Sequence, residues 1–186
     1  MQALLTSTVL VALAEIGDKT QLLSFVLAAR LRRPWPILAG ILVATLANHA
    51  LAGALGKWIA TLVPRTTLVV GVGVLFIAFG FWTLHPDALD DDPRLHRAGA
   101  FVTALIAFFL AEMGDKTQIA TVALAARFDS LVQVVLGTTL GMMIANAPAV
   151  WLGDKLAERI PMRAVRITAA VLFIGFGVLT LFGTSV

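Results

Sequence analysis

Residues 15–20, "EIGDKT", set Glu15, Asp18 and Lys19 between two apolar runs, "LLTSTVLVALA" (4–14) and "QLLSFVLAA" (21–29). Ionisable groups inside a span are costly, so they face the protein interior and carry a function by default. The pattern recurs. "EMGDKT" (112–117) lies between "ALIAFFLA" (104–111) and "QIATVALAA" (118–126).

The composition agrees with a bilayer setting. Of 186 residues, 59% are hydrophobic and 13% charged, with a mean hydropathy of +0.93. Soluble domains carry ~25% charged residues. A span needs ~20 mostly apolar residues. The apolar blocks are too long for β-barrel strands and lack period-two alternation. The class expected is an all-α polytopic membrane protein with six transmembrane helices, near 3–29, 36–62, 66–84, 99–126, 131–153 and 164–183. The N-terminus lacks the basic region of a signal peptide and reads as a retained first span. With no cysteine, thiolate chemistry and disulfides are absent. The net charge of +3 sits between apolar blocks, where it orients the chain in the membrane and does not indicate nucleic acid.

The chain is a duplication. Glu112 follows Glu15 by 97 residues, and the same offset maps Arg30 to Arg127, Gly40 to Gly137, Gly56 to Gly153 and Pro64 to Pro161. It also lays "VLFIAFGFWTL" (74–84) on "VLFIGFGVLTL" (171–181), with roughly a third of all aligned positions identical. The organisation expected is a first three-helix repeat at 1–84, a polar linker loop at 85–98 and a second repeat at 99–186. Three spans per repeat insert the second copy upside down, giving an inverted-topology repeat. Arg30, Arg32, Arg33, Arg94, Arg97, Lys155, Arg159, Arg163 and Arg166 fall on one side; Lys57, Arg65 and Arg127 fall on the other. The first side is then cytoplasmic, with Asp90 to Asp92 in a solvated loop and both termini periplasmic.

Read as continuous helices, the motifs put Glu15 and Asp18, and Glu112 and Asp115, on shared faces. Inverted symmetry brings both motifs to the midplane, so four carboxylates converge beside Lys19 and Lys116. Oxygen-only donors suit hard cations such as Ca²⁺, Mg²⁺ and Mn²⁺. Thr20, Gln21, Thr117 and Gln118 can add oxygens; Ser24 and Thr121 stand one turn further on. Gly17 and Gly114 allow close approach or an exposed carbonyl. Four carboxylates and two ammonium groups leave a charge of −2, which one divalent ion neutralises. Without the ion, repulsion among clustered carboxylates favours proton uptake. A site holding either a divalent ion or protons is the minimum equipment of a cation/proton antiporter.

In the second spans, Asn48 and His49 align with Ala145 and Asn146. The amides are candidate ligands or interhelical struts, and His49 a candidate proton relay. Pro148 is expected to kink its span. The glycines of "GTTLG" (137–141) and those at 71, 73, 80, 175 and 177 read as close helix packing. Thr6, Thr8 and Thr103 are expected to bond their own backbone, and Arg30 and Arg127 to reach opposite interfaces.

Two copies of E-x-G-D-[KR]-[ST], one early in each three-span half, resemble the Gdt1 family, also called uncharacterised protein family 0016, which includes the Golgi transmembrane protein 165. The resemblance covers essentially the whole chain. It implies a secondary transporter moving Mn²⁺, and in some members Ca²⁺, in exchange for H⁺, with no resident cofactor and no enzymatic activity. It implies roles for Glu15, Gly17, Asp18, Lys19, Thr20, Glu112, Gly114, Asp115, Lys116 and Thr117. The small loops resemble bacterial manganese exporters of the inner membrane. Partners expected are the cation, protons and lipid; homo-oligomerisation is left open. Rivals are a scaffold protein with Glu15–Lys19 as a structural ion pair, a passive channel, a transporter of another small solute, and an intramembrane aspartyl protease. The last lacks its G-x-G-D signature, because Glu15 and Glu112 occupy the first position.

Overall fold

Apolar blocks with few breakers build helices, and the breakers set their ends. The computed structural model describes residues 1–85, 99–152 and 162–182. Its regular structure is entirely helical: α1 (Gln2–Glu15), α2 (Lys19–Leu31), α3 (Pro34–Leu62), α4 (Arg65–Thr83), α5 (Ala100–Glu112), α6 (Lys116–Arg127), α7 (Leu131–Leu152) and α8 (Met162–Phe182). Arg32, left-handed at φ 51, closes α2 by donating its N–H to the Ala28 carbonyl. Pro34 then opens α3, where a missing N–H costs nothing. Most of the predicted linker, with Asp90 to Asp92, Arg94 and Arg97, lies outside the described residues, as do Gly153, Lys155, Arg159 and Pro161.

Among the described residues, four helices, α3, α4, α7 and α8, are long and apolar enough to cross a membrane. The expected first and fourth spans are not continuous. Each is two short helices, α1 with α2 and α5 with α6, broken inside the charged motif. Gly17 at φ 85 and Gly114 at φ 78 turn the chain there, a conformation only glycine adopts without strain. The motif carboxylates therefore do not share one helical face as expected.

The two short helices of each set follow one another along one long partner. Gly137 of α7 meets Leu4 and Ser7 of α1, and Gly141 meets Thr8, Val11 and Ala12. Further along α7, Ala145 and Asn146 meet Gln21 and Ser24 of α2. The same geometry recurs 97 residues out of phase. Gly40 of α3 meets Phe101 and Ala104 of α5, and Asn48 meets Phe109 and then Gln118 of α6. A Cβ on Gly137 would stand 2.5 Å from the Leu4 carbonyl oxygen, and one on Gly40 2.6 Å from that of Phe101. Both glycines are therefore fixed by backbone contact, as expected of small residues at helix interfaces.

Helices α4 and α8 pack together. Gly80 meets Ala170 and Ile174, while Gly73 meets Gly177 and Leu181, so the two run antiparallel. Phe76 and Phe173, again 97 residues apart, stack at 5.9 Å between ring centroids. Gly71 and Gly175 depart from the expected packing role: a Cβ on either meets nothing within 4 Å.

The burial pattern is inverted relative to a soluble protein. Ser7, Thr45, Thr138, Thr139, Asn48 and His49 are buried, while Val74, Phe81, Leu140, Val171 and Leu179 are exposed. Apolar surface on this scale fits lipid; of the buried hydroxyls, Thr138 donates to the Val135 carbonyl, while those of Ser7, Thr45 and Thr139 have no hydrogen-bond partner among the described residues. Thr8 donates to the Leu4 carbonyl and Thr103 to that of Gly99, as expected. Arg30 and Arg127 are exposed at their helix ends. Lys57, Arg65 and Arg127 line one cavity of about 850 Å³ together with Leu181 of α8. The N-terminal amine contacts Gln133, four residues past Asp129 of the same cavity. The N-terminus and the end of α8 thus share one end of the molecule with these three basic residues.

Candidate metal centre

The two helix breaks meet inside the molecule. Glu15 is the last residue of α1 and Glu112 of α5. Asp18 and Asp115 stand just before α2 and α6, as their N-caps. Each break thus offers a carboxylate at a helix C-terminus and another at a helix N-terminus. The positive end of the second helix dipole favours the aspartate, and the negative end of the first favours a cation. The Gly17 N–H donates to Gln21 Oε1 at 2.8 Å, and the Gly114 N–H to Gln118 Oε1 at 2.7 Å. These glutamines, expected as cation ligands, turn their oxygens toward the broken backbone.

Glu15, Asp18, Glu112 and Asp115 are all buried. One oxygen each from Glu15, Glu112 and Asp115 lie within 4.8 Å of one another. Asp18 stands outside that group, at 2.6 Å from Lys116 Nζ. Lys19 reaches Asp115 at 2.9 Å. Each lysine therefore neutralises the aspartate of the other repeat; the alternative Glu15–Lys19 pairing along one helix does not form. Thr20 donates to Glu15 Oε2. Thr117 lies 3.0 Å from Glu112 Oε2 and 3.3 Å from Asp115 Oδ2. Glu15 Oε1 and Glu112 Oε1 accept no hydrogen bond among the described residues.

The second-span residues brace this arrangement. Asn48 Nδ2 donates to the Phe109 carbonyl at 3.0 Å, and Gln118 Nε2 approaches Asn48 Oδ1 at 3.4 Å. Gln21 Nε2 donates to the Ala145 carbonyl at 3.0 Å, where the offset places the equivalent of Asn48. Asn146 Oδ1 accepts from Ser24, and its amide nitrogen donates to Met142. Thr121 donates to its own helix at the Thr117 carbonyl. Pro148 sits within α7, which runs on to Leu152; the Ala145 carbonyl just before it is taken by Gln21. His49 is fully buried, with Nε2 3.9 Å from Glu112 Oε2. Its nearness to Glu112 was not legible in the primary structure, because only the packing of α3 on α5 creates it. The cross-repeat lysine pairs were equally hidden. The helix breaks did leave a signal, a glycine at the third position of both motif copies.

A buried carboxylate cluster drawn from both motif copies, at paired helix breaks, has the oxygen-donor chemistry that suits a hard cation. The chain belongs to the GDT1 family: the family described as "Divalent cation/proton antiporter GDT1" matches residues 3–91 and again residues 100–185. The family is one of membrane transporters, and divalent cation transport is its class of activity. The chain is 48% identical to a Vibrio cholerae serotype O1 protein named "Putative manganese exporter", over 98% of this chain and 92% of that one. It is 32% identical to "GDT1-like protein 3" of Oryza sativa subsp. indica, over 97% of this chain and 74% of the relative. Against "GDT1-like protein 5" of Arabidopsis thaliana it is 30% identical, over 97% and 96% of the two chains. No solved structure matches it.

Proposed function

We propose that the protein is a secondary-active antiporter that exports Mn²⁺ from the cytoplasm in exchange for protons, by alternating access at the paired motifs. The observation that carries this reading is the cluster of Glu15, Glu112 and Asp115 oxygens, drawn from both repeats and buried between broken helices. The name of the Vibrio cholerae relative supports manganese as cargo. Ca²⁺, which also takes oxygen ligands, is the alternative cargo.

In this reading each broken pair, α1 with α2 and α5 with α6, is one span, so six spans form two inverted three-helix repeats. The contacts that recur at the 97-residue offset support it, as does the antiparallel α4–α8 pair, because a two-fold axis relating antiparallel helices runs perpendicular to them. The excess of Lys and Arg on the opposite side supports a bacterial inner-membrane orientation with Lys57, Arg65, Arg127 and both termini toward the periplasm.

The cycle uses this chain's own charges. Glu15, Asp18, Glu112 and Asp115 bind the ion, with Thr20 and Thr117 orienting carboxylates. When the ion arrives, Lys19 and Lys116 release their aspartates; when it leaves, protons and the lysines restore neutrality. The motifs then face the other side, and the inward proton gradient drives metal outward. Purified protein in proteoliposomes with an imposed pH gradient tests this. Mn²⁺ should move uphill, compete with Ca²⁺ above Mg²⁺, and stop when a protonophore collapses the gradient. Mn²⁺ movement indifferent to the protonophore would sink the antiport reading and favour a channel.

A further inference from the structure

We propose that His49 is a nitrogen ligand of the metal site and biases it toward first-row transition ions over Ca²⁺ and Mg²⁺. This rests on the transport reading above. His49 lies on α3, outside both motifs, and has no histidine counterpart: the offset places Asn146 there. The imidazole is fully buried, and among the described residues neither Nδ1 nor Nε2 has a hydrogen-bond partner. A buried polar ring without partners bears a desolvation cost that nothing in the protein offsets. Its Nε2 stands 3.9 Å from Glu112 Oε2, one of the two carboxylates in the cluster with an oxygen still lacking a hydrogen bond.

The distances suit a shared ion. Two ligand atoms each ~2.1 Å from one ion stand between about 3 Å apart when cis and about 4.2 Å when trans. The His49–Glu112 separation of 3.9 Å falls inside that interval. The pseudo-equivalent Asn146 is already committed, its Oδ1 accepting from Ser24 at 2.8 Å. The imidazole nitrogen thus joins the carboxylate site through Glu112, its one measured neighbour there, and is contributed by one repeat only. Ca²⁺ and Mg²⁺ take oxygen ligands. An imidazole donor shifts preference toward first-row transition ions.

Pulsed electron paramagnetic resonance on Mn²⁺ bound to the wild-type protein reads the ligand directly. A ¹⁴N coupling of imidazole type should be present, and should be lost in His49→Asn. In proteoliposomes, the same variant should lower the Mn²⁺:Ca²⁺ transport ratio by about 10-fold, within the range that metal-site substitutions produce. Bound Mn²⁺ without ¹⁴N coupling in the wild type overturns the assignment of His49 whether or not any variant folds. So does an unchanged ratio in a folded His49→Asn. A wild-type protein that binds and moves no divalent ion instead overturns the transport reading on which this one stands.

Discussion

The two copies of the motif share five of six residues yet occupy different surroundings. In the first, Ile16 and Gly17 are half-buried and Lys19 keeps 25% of its side chain exposed. In the second, Met113 and Gly114 are exposed and Lys116 is 7% exposed. Thr20 contacts one carboxylate, whereas Thr117 lies between two. The same chemistry is therefore closed around one lysine and open around the other. The alternating-access cycle proposed above needs its halves in unlike states at any moment, and a difference of this kind is what that proposal expects.

The largest effect expected is on transport. Glu15→Gln and Glu112→Gln each remove a ligand charge, on which affinity depends strongly, and each should reduce Mn²⁺ flux to about 1% of wild type or less. Flux retained in one of them would show that the two motifs are unequal in kind. Next come the lysines. Lys116→Ala takes the cation from a buried aspartate and should cost about 3–5 kcal/mol. Lys19→Ala also takes a cation from a buried aspartate, Asp115, but from the more exposed lysine, and should cost less, about 1–3 kcal/mol. Thermal unfolding in detergent compares them, and equal losses would erase the distinction drawn above. Gly114→Ala isolates the backbone term, since its Cβ meets no neighbour; forcing a positive φ should cost about 1–2 kcal/mol, and Gly17→Ala at least as much. The smallest effect belongs to the hydroxyls. Thr117→Val should weaken Mn²⁺ binding several-fold and more than Thr20→Val, a difference that binding titrations resolve.

Much of this was written in the order of residues. The duplication, the helical class and the carboxylates that meet at the helix breaks follow from one offset and one recurring hexapeptide. The break in the first and fourth spans did not, because apolar periodicity runs straight through a motif that a single positive φ interrupts. Gly17 could be read for its small size, but its dihedral angle could not. The pairing of Lys19 with Asp115 rather than Glu15 was hidden for a different reason. A local partner at four residues' spacing is only available along an unbroken helix, and the break hands each lysine to the opposite repeat. His49 was visible as an oddity of α3, and its meaning depends on a neighbour 63 positions away.

The crossed lysine–aspartate pairs bear on how such a chain arose. Each motif's lysine is paired with the aspartate of the other. If the repeats are inverted as proposed, a shorter ancestor with one copy would have had to find the matching carboxylate on a second molecule of itself, inserted in the opposite direction. Joining the two in one chain fixes that dual orientation permanently, and frees one copy to carry a histidine where the other keeps an asparagine.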